Sequence, residues 1–328
     1  MSGKIGKASA EVAAGKLSIT AIILTFNEEI HIARCIGRIR ALVERIVVVD
    51  SFSTDATVRI ARALGAELLQ HPFKNHADQF QWALDSCHPD TEWVLKLDAD
   101  EYLEEGACAD LRSKLPTLPS TVTGLEFKRK VTFQGRWMRH GGYYSTKLVR
   151  LWRNGVGQAE QRWMCEHIVL SHGRTEQVCR GDLVDDNLKD ITFWIAKHND
   201  YATRHMVDFV NREYRLFEED DRIQKTDTEA RKIRFLRNVL YAHAPPYLRA
   251  AMFYFYRYVF RLGFLDGRSG LIFHFLHAFW LHMLIDAKVD EAHRFIREHG
   301  IEGFREYLEA RHNIDLAPIA SRDHADVV

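Results

Sequence analysis

Between residues 17 and 103, apolar runs alternate with segments of helical spacing, and that alternation is the strongest constraint on the fold. "LSITAIIL", "RIVVVD", "AELLQH" and "EWVLKLDAD" are the runs; "NEEIHIARCIGRIR", "STDATVRIARALGA" (closed by Gly65) and "HADQFQWALDSC" lie between them. Strands this apolar along their whole length have no face to give to water. Short connections through helices place such strands in parallel, so the segment predicts an α/β parallel sheet covered on both faces.

Composition narrows the classes further. The chain has 328 residues, 46% apolar and 27% charged, enough for a sizeable core. Lys plus Arg equals Asp plus Glu at 45 each, so no global field draws nucleic acid, and no nucleic-acid partner is expected. Five cysteines, an odd number with no CxxC pair, argue against a disulfide framework or a zinc site and fit a reducing compartment. Residues 1–16 are small, polar and basic without an apolar core, and read as a flexible tail.

After Gly106 the regularity fades. "TGLEFKRKVTF" and "KLVRLWR" read as strands separated by the glycine-rich "RHGGYY", and from residue 187 the chain is mainly helical and aromatic. The expected division is 1–16 tail, 17–186 nucleotide-binding and catalytic domain, and 187–328 helical region, with residues 217–232 as a flexible connection and Pro245-Pro246 as a break. The apolar stretch 271–285, "LIFHFLHAFWLHMLI", would reach only ~22 Å as a helix, short of a ~30 Å hydrocarbon core, so a buried or interfacial helix is expected. His274, His277 and His282 within it lack matched carboxylates or cysteines and read as hydrogen-bonded helix histidines. In "YLRAAMFYFYRYVFRLGF", Arg249, Arg257 and Arg261 share one side of a helix. That is either a core helix with solvated arginines or a helix lying on anionic lipid.

In an open parallel sheet, ligands gather outside the carboxyl ends of the strands. Three of those ends carry polar or acidic groups: "TFNEE", "DSFSTDAT" and "DADE". "VLKLDADEYL" crowds Asp98, Asp100 and Glu101 after an apolar run, and like charges so close resist ionising together unless something positive joins them. Alternation along an extended segment points Asp98 and Asp100 to one face, where two hard oxygen ligands suit Mg2+ or Mn2+. The plainer reading is a solvated turn with helix-capping carboxylates. Asp50 can accept hydrogen bonds from a nucleoside while Ser53 or Thr54 caps the following helix. Neither GxGxxG nor GxxxxGK[ST] follows the first strand, which speaks against dinucleotide oxidoreductases and P-loop NTPases.

"TAIILTFNEEIHIARCI", "IVVVDSFSTDATVRIA" and "HADQFQWALDSC…EWVLKLDADEYL" together resemble the family 2 glycosyltransferases of the GT-A fold, metal-dependent inverting enzymes that use nucleotide sugars. The resemblance implies a mostly parallel Rossmann-like sheet flanked by helices, with a helical C-terminal extension. It implies that Thr25, Asn27 and Glu29 line the nucleotide site, that Asp50 contacts the base with Ser53 also on the donor, and that Asp98 and Asp100 bracket the metal and diphosphate. "RWMCEHIVLSHG", "WIAKHNDYATRH" and "GFLDGRSGLIFHFLHAFW" resemble a bacterial branch that builds lipopolysaccharide core or exopolysaccharide. That implies a nucleotide-sugar donor (a UDP-sugar favoured), a lipid-linked or glycolipid acceptor, and a peripheral place on the cytoplasmic face of the inner membrane.

Inverting transfer needs a base for the acceptor hydroxyl and an electrophile for the departing diphosphate. Glu166 in "CEH" is the expected base, with Asp182, Asp185 and Asp186 next in line; a surface salt bridge is the plainer role for Glu166. Arg150 and Arg153 either approach the diphosphate or are outward strand positions. The same rim would serve a metal-dependent phosphohydrolase or nucleotidyltransferase. A catalytically silent sugar-nucleotide-binding subunit is the other alternative, since Cys165 stands where the branch often has an aspartate before Glu-His.

Overall fold

The computed structural model describes residues 15–144, 146–160, 163, 167–217 and 244–316. Nearly all of the expected tail, most of the 217–232 connection, Cys165 and Glu166 lie outside the described residues. The expected alternation is present in order: β1 (Leu17–Thr25), α1 (Ile32–Ile39), β2 (Val43–Asp50), α2 (Thr57–Ala63), β3 (Glu67–Gln70), α3 (His76–Cys87) and β4 (Trp93–Asp98). β3, β2, β1 and β4 lie side by side in that order and are mutually parallel. One face of this sheet packs Ile19, Ile23, Val48 and Leu95 against Ile32, Ile36 and Ile39 of α1; the other packs Ile22, Val47, Val49 and Val94 against Phe80 and Ala83 of α3. Both faces are covered, which is why the strands carry no polar side. The Asn75 side chain accepts the Asp78 N–H and so caps α3 at its start.

Beyond β4 the sheet turns mixed. β5 (Glu101–Leu103) and α4 (Glu105–Lys114) precede a long strand, β6 (Val122–Phe133). β7 (Arg136–Trp137) and β8 (Lys147–Arg153) follow, then β9 (Gly157–Ala159), β10 (Ile168–Leu170), β11 (Arg174–Gln177) and β12 (Leu183–Asp186). β8 inserts antiparallel between β4 and β6, and β12 joins β6 to β5. The result is a mixed α/β sheet flanked by helices, with a helical region after it, as expected.

That region starts with α5 (Ile191–Tyr214), capped by the Asp190 side chain. α6 (Leu248–Phe255) follows the proline pair and runs into a π-helical turn at Tyr256–Phe260. α7 (Gly267–His274), a second π-helical stretch at Phe275–Trp280, and α8 (Leu281–His312) form one helical run, kinked at Gly300 and packed on α5. The apolar stretch 271–285 is therefore not a short helix on its own. It belongs to a run, Gly263–His312, that is long and apolar enough to cross a bilayer by length and composition alone, with 39% of its most apolar window buried in the molecule.

Two of the three stripe arginines, Arg249 and Arg257, turn inward rather than toward lipid, while Arg261 is exposed. Arg249 is buried in an ion pair with Asp286, whose other oxygen accepts the Tyr247 N–H at 2.7 Å. Arg257 donates to the Gly141 carbonyl at 2.8 Å and lies over the Tyr143 ring. The outward positions of α6 and its π-turn are instead apolar: Leu248, Met252, Phe255, Val259 and Phe260 are exposed, Phe260 by 76%. This helix is inside out.

The histidines divide. His277 shares a hydrogen bond with the Tyr143 hydroxyl at 2.9 Å, as expected, whereas neither ring nitrogen of the fully buried His274 has a partner among the described residues. His274 packs against backbone: a Cβ on Gly141, at φ +76, would sit 2.0 Å from its ring. Burial pushes His198 and His274 down to about 4, and burial together with nearby cations and histidines pushes His277 further below its usual range. These rings are neutral in the fold but take a proton near pH 6.5 in the unfolded chain. Their contribution is fully present above about pH 6.5 and is lost as pH falls toward 4. The thermal unfolding midpoint should therefore drop on acidification through that window. The part of the drop owed to His274 should vanish in His274→Leu, compared by parallel melts.

Candidate functional site

Three strand ends meet in register. Thr25 pairs with Asp50 across β1 and β2, and Leu24 pairs with Asp98 across β1 and β4. Backbone bonds continue past the strands, from Ser51 N to the Thr25 carbonyl and from Ala99 N to the Leu24 carbonyl.

The first two ends are laced together. Asn27, held at φ +53, donates its N–H to Ser53 Oγ at 2.7 Å, and its side-chain oxygen accepts the Thr54 N–H at 2.8 Å. Glu28 N donates to Thr57 Oγ1 at 2.7 Å. The start of α2 is capped by Asp55, which accepts Thr57 N at 2.9 Å, and by Glu29, which accepts Ala56 N at 2.9 Å. Neither Ser53 nor Thr54 caps it, contrary to expectation. Ser53 sits too far back along the loop, and its hydroxyl is committed to Asp50 and Asn27. Asp50 itself is fully buried: Ser53 N and Gln70 Nε2 donate to one oxygen at 2.9 and 3.1 Å, and the Ser53 hydroxyl donates to the other.

At the end of β4, Asp98 closes the strand, residues 99 and 100 form a turn, and β5 begins at Glu101. The acidic triplet is a bend, so strand alternation does not set where Asp98 and Asp100 point, as the sequence reading assumed. Each carboxylate has its own partners. Glu101 is buried, takes Arg150 Nη2 at 2.6 Å on one oxygen and accepts Asp98 N at 3.1 Å on the other. The same Arg150 nitrogen is 3.4 Å from Asp98 Oδ2. Asp100 Oδ2 accepts from Asn187 Nδ2 at 3.0 Å and lies 3.4 Å from Lys197 Nζ.

A second tier surrounds these groups. Arg34 pairs with Asp186 at 2.5 Å, Arg129 with Asp185, and Lys189 with Glu28 at 2.8 Å. The buried His31 bonds Glu28 through Nδ1 and accepts the Leu188 N–H on Nε2 at 2.8 Å. The crowded carboxylates are thus interleaved with cations. Burial raises Asp100, but Lys197, the Asn187 hydrogen bond and His31 outweigh it and hold Asp100 well below the usual carboxylate range. Burial pushes Glu101 up to about 7, helped by Asp98 and opposed by Arg150.

The two arginines flanking Leu151-Trp152 separate cleanly. Arg150 faces the carboxylates, whereas Arg153 bonds the Val122 carbonyl and Glu92 and stacks on Trp93, away from them. Asn187, Lys189 and Lys197 were not singled out from sequence. Lys197 lies 97 positions from Asp100, and no local pattern links the two. Glu166 is outside the described residues. Its flanks are anchored by Glu160 N to the His167 carbonyl at 2.8 Å and Ala159 N to Gln81 Oε1 at 3.1 Å. The reserve carboxylates Asp185 and Asp186 are ion-paired, and Asp182 is a buried neighbour of Tyr144.

No group of three or more His, Cys, Asp or Glu side chains is arranged for a metal among the described residues. Asp98 Oδ1 and Thr25 Oγ1, however, are buried without a hydrogen-bond partner among the described residues, and so is the Arg150 Nε donor. A hard cation taken by Asp98 and Asp100 would have to complete its shell with oxygens from phosphate or water, and Asp98 offers it a free oxygen. The residues fit that use.

Asp50→Asn should destabilise the loop, because one acceptor oxygen becomes an NH2 facing donors. A loss of about 1–3 kcal/mol in denaturant unfolding is expected. An unchanged midpoint would show that those hydrogen bonds contribute nothing.

Comparison with known proteins bears on this rim. The family model described as glycosyl transferase family 2 matches residues 20–173. An uncharacterized glycosyltransferase of Rickettsia typhi is 41% identical over 87 residues, 26% of this chain and 29% of that protein. The chain therefore spans less than a third of that relative's length. The lipopolysaccharide core biosynthesis glycosyltransferase LpsC of Rhizobium meliloti is 26% identical over 193 residues, 57% of this chain and 70% of that protein. Among solved structures, mannosyl-3-phosphoglycerate synthase from Rubrobacter xylanophilus aligns with a TM-score of 0.30 at 22% identity, covering 35% of this chain and 40% of that one. Glucosyl-3-phosphoglycerate synthase from Mycobacterium tuberculosis, in complex with Mn2+ and UDP-glucose, aligns with a TM-score of 0.30 at 23% identity, covering 37% and 46%.

Proposed function

Since residues 20–173 belong to glycosyl transferase family 2, we propose that the protein transfers a sugar, with inversion, from a nucleotide-sugar donor to a lipid-linked or glycolipid acceptor in lipopolysaccharide or exopolysaccharide synthesis. The observation that carries this reading is the rim itself. Three adjacent strand ends bring Thr25, Asp50 and Asp98 together, and Asp98 has a buried oxygen with no partner among the described residues. Asp98 and Asp100 would hold Mg2+ or Mn2+, which when bound supplies positive charge to the departing diphosphate. Arg150, fixed by Glu101 and 3.4 Å from Asp98, adds a further N–H with no partner among the described residues. The loop laced through Asn27, Glu29, Ser53 and Asp50 would form the nucleoside side of the donor site, with a UDP-sugar favoured.

In the transfer, the acceptor hydroxyl oxygen bonds to the anomeric carbon as the bond from that carbon to the diphosphate breaks. The diphosphate leaves with the electron pair and the hydroxyl proton passes to a base. Glu166 is the proposed base. In support, the carboxylates held in reserve, Asp185 and Asp186, are ion-paired with Arg129 and Arg34. A paired carboxylate is a poor proton acceptor, because the neighbouring cation favours its ionised form.

We further propose that α6 and the turns after it seat the protein on the cytoplasmic face of the inner membrane. The outward face of α6 is apolar and aromatic, and a patch of this size on a soluble surface marks an interaction site. The occupant proposed is lipid, because Asp266, the only acid between residues 244 and 285, is buried against His140 while Arg261 and Arg268 are exposed. The Arg249–Asp286 pair ties the helices to each other and the His277–Tyr143 bond ties them to the preceding part of the chain, which supports surface seating over a crossing.

A thermal-shift screen of nucleoside diphosphates with Mn2+ tests the donor site, since a ligand of the folded form raises its stability. Asp98→Asn should keep the fold but weaken Mn2+-dependent UDP binding at least about tenfold. Equal binding by variant and wild type would remove Asp98 from the site. Sugar-nucleotide turnover that proceeds equally well without any acceptor would favour a hydrolase instead.

For the membrane face, Met252→Ser, Phe255→Ser and Phe260→Ser combined should abolish sedimentation with anionic liposomes, each side chain contributing on the order of 1–3 kcal/mol of burial. Wild-type binding should weaken in high salt yet persist, because screening reduces the pull of Arg261 and Arg268 on anionic lipid and leaves the apolar contact in place. Release of the wild type by salt alone would return the role to arginines.

A further inference from the structure

We propose that Lys197 is a charge-exchange residue: it neutralises Asp100 in the empty site and moves to the donor's diphosphate when a divalent cation takes Asp100. This rests on the proposed function and names a residue for it from outside the matched family segment, on α5 of the helical region.

The two cations that reach the carboxylates of Asp98, Asp100 and Glu101 are held differently. Arg150 is anchored by a 2.6 Å bond to Glu101, and its 3.4 Å approach to Asp98 is secondary. It can stay in place whatever happens to Asp98. Lys197 lies 3.4 Å from Asp100 Oδ2, the limit of a hydrogen bond, and its side chain is 31% exposed. A lysine is a point charge on a flexible four-carbon stem, so it can leave that position by rotation alone. Asn187, 3.0 Å from the same oxygen, remains to orient the carboxylate when the ammonium goes.

Something must give when a cation enters. A divalent ion held by Asp100 would take the carboxylate oxygen that now faces the ammonium. The ammonium would then stand beside a doubly positive charge, and its partly exposed side chain gives it room to move away. With both aspartates neutralised by the ion, the arriving diphosphate is the strongest remaining negative charge, and Lys197 is the loosely held cation beside it. Metal and lysine therefore compete for Asp100, while diphosphate and lysine attract. Removing the lysine should move the two affinities in opposite directions, which a plain structural ion pair would not do.

The test measures Mn2+ affinity without nucleotide, by the electron paramagnetic resonance signal of free Mn2+, and UDP affinity at saturating Mn2+, by calorimetry. Lys197→Met and Lys197→Gln are compared with wild type; the glutamine variant keeps a hydrogen bond to Asp100 in case burying an unpaired carboxylate unfolds the methionine one. Both variants should bind Mn2+ alone more tightly and UDP about tenfold or more weakly, the loss expected for one charge-assisted hydrogen bond. Weaker Mn2+ binding, or unchanged UDP binding, in a folded variant would overturn the inference and leave Lys197 as a structural partner of Asp100. A wild type that binds neither Mn2+ nor UDP would instead count against the proposed function.

Discussion

Asp98, Asp100 and Glu101 can share one bend because cations from far along the chain are set between them. Arg150 reaches in from β8, Lys197 from α5, and Arg34 and Arg129 hold the neighbouring Asp186 and Asp185. Like charges in a partly desolvated place would otherwise raise one another's proton affinity until some were neutral. The interleaving explains why Asp100 stays ionised beside two other acids, and why Glu101, buried most deeply in the group, is the one pushed upward. It also ties the sheet together mechanically. β12 and the segment after it cross the strand ends, with Asp186 on Arg34, Leu188 on His31 and Lys189 on Glu28.

The first half of the architecture was legible because its signals are local. Apolar runs and helical spacing gave β1 to β4 and α1 to α3 in order, and "HADQFQWALDSC" coincides with α3 residue for residue. The strand ends that form the rim followed from topology alone. What came next did not: β8 slides antiparallel between β4 and β6, and β12 pairs with a strand more than fifty positions earlier. Alternation within a strand says which side chains share a face but not which strand lies beside it. The bend at residues 99 and 100 was missed for a related reason, since an aspartate pair reads alike at the end of a strand and in a turn.

The helical region shows the same limit in another form. Spacing divides α6 into an arginine side and an apolar side, and no spacing says which of them faces inward. The answer lay with Asp286, 37 positions from Arg249, and with the Gly141 carbonyl, 116 positions from Arg257. Partners decide orientation, and partners are remote. Lys197 is the extreme case: an ordinary helix lysine by pattern, it earns its place only through a carboxylate on a different element.

Because Lys197 and Asn187 belong to the helical region while Asp100 belongs to the sheet, the two parts of the chain share a single charge balance. A sheet domain joined by recombination to some other helical extension would keep its strands and its acidic bend, yet would lack the cation and the amide that quiet Asp100. The exchange would succeed only if the incoming segment happened to present both at the same spot. Such a pair of parts is poorly suited to shuffling. It should descend as one unit, with drift at residue 100 answered by drift at 187 and 197.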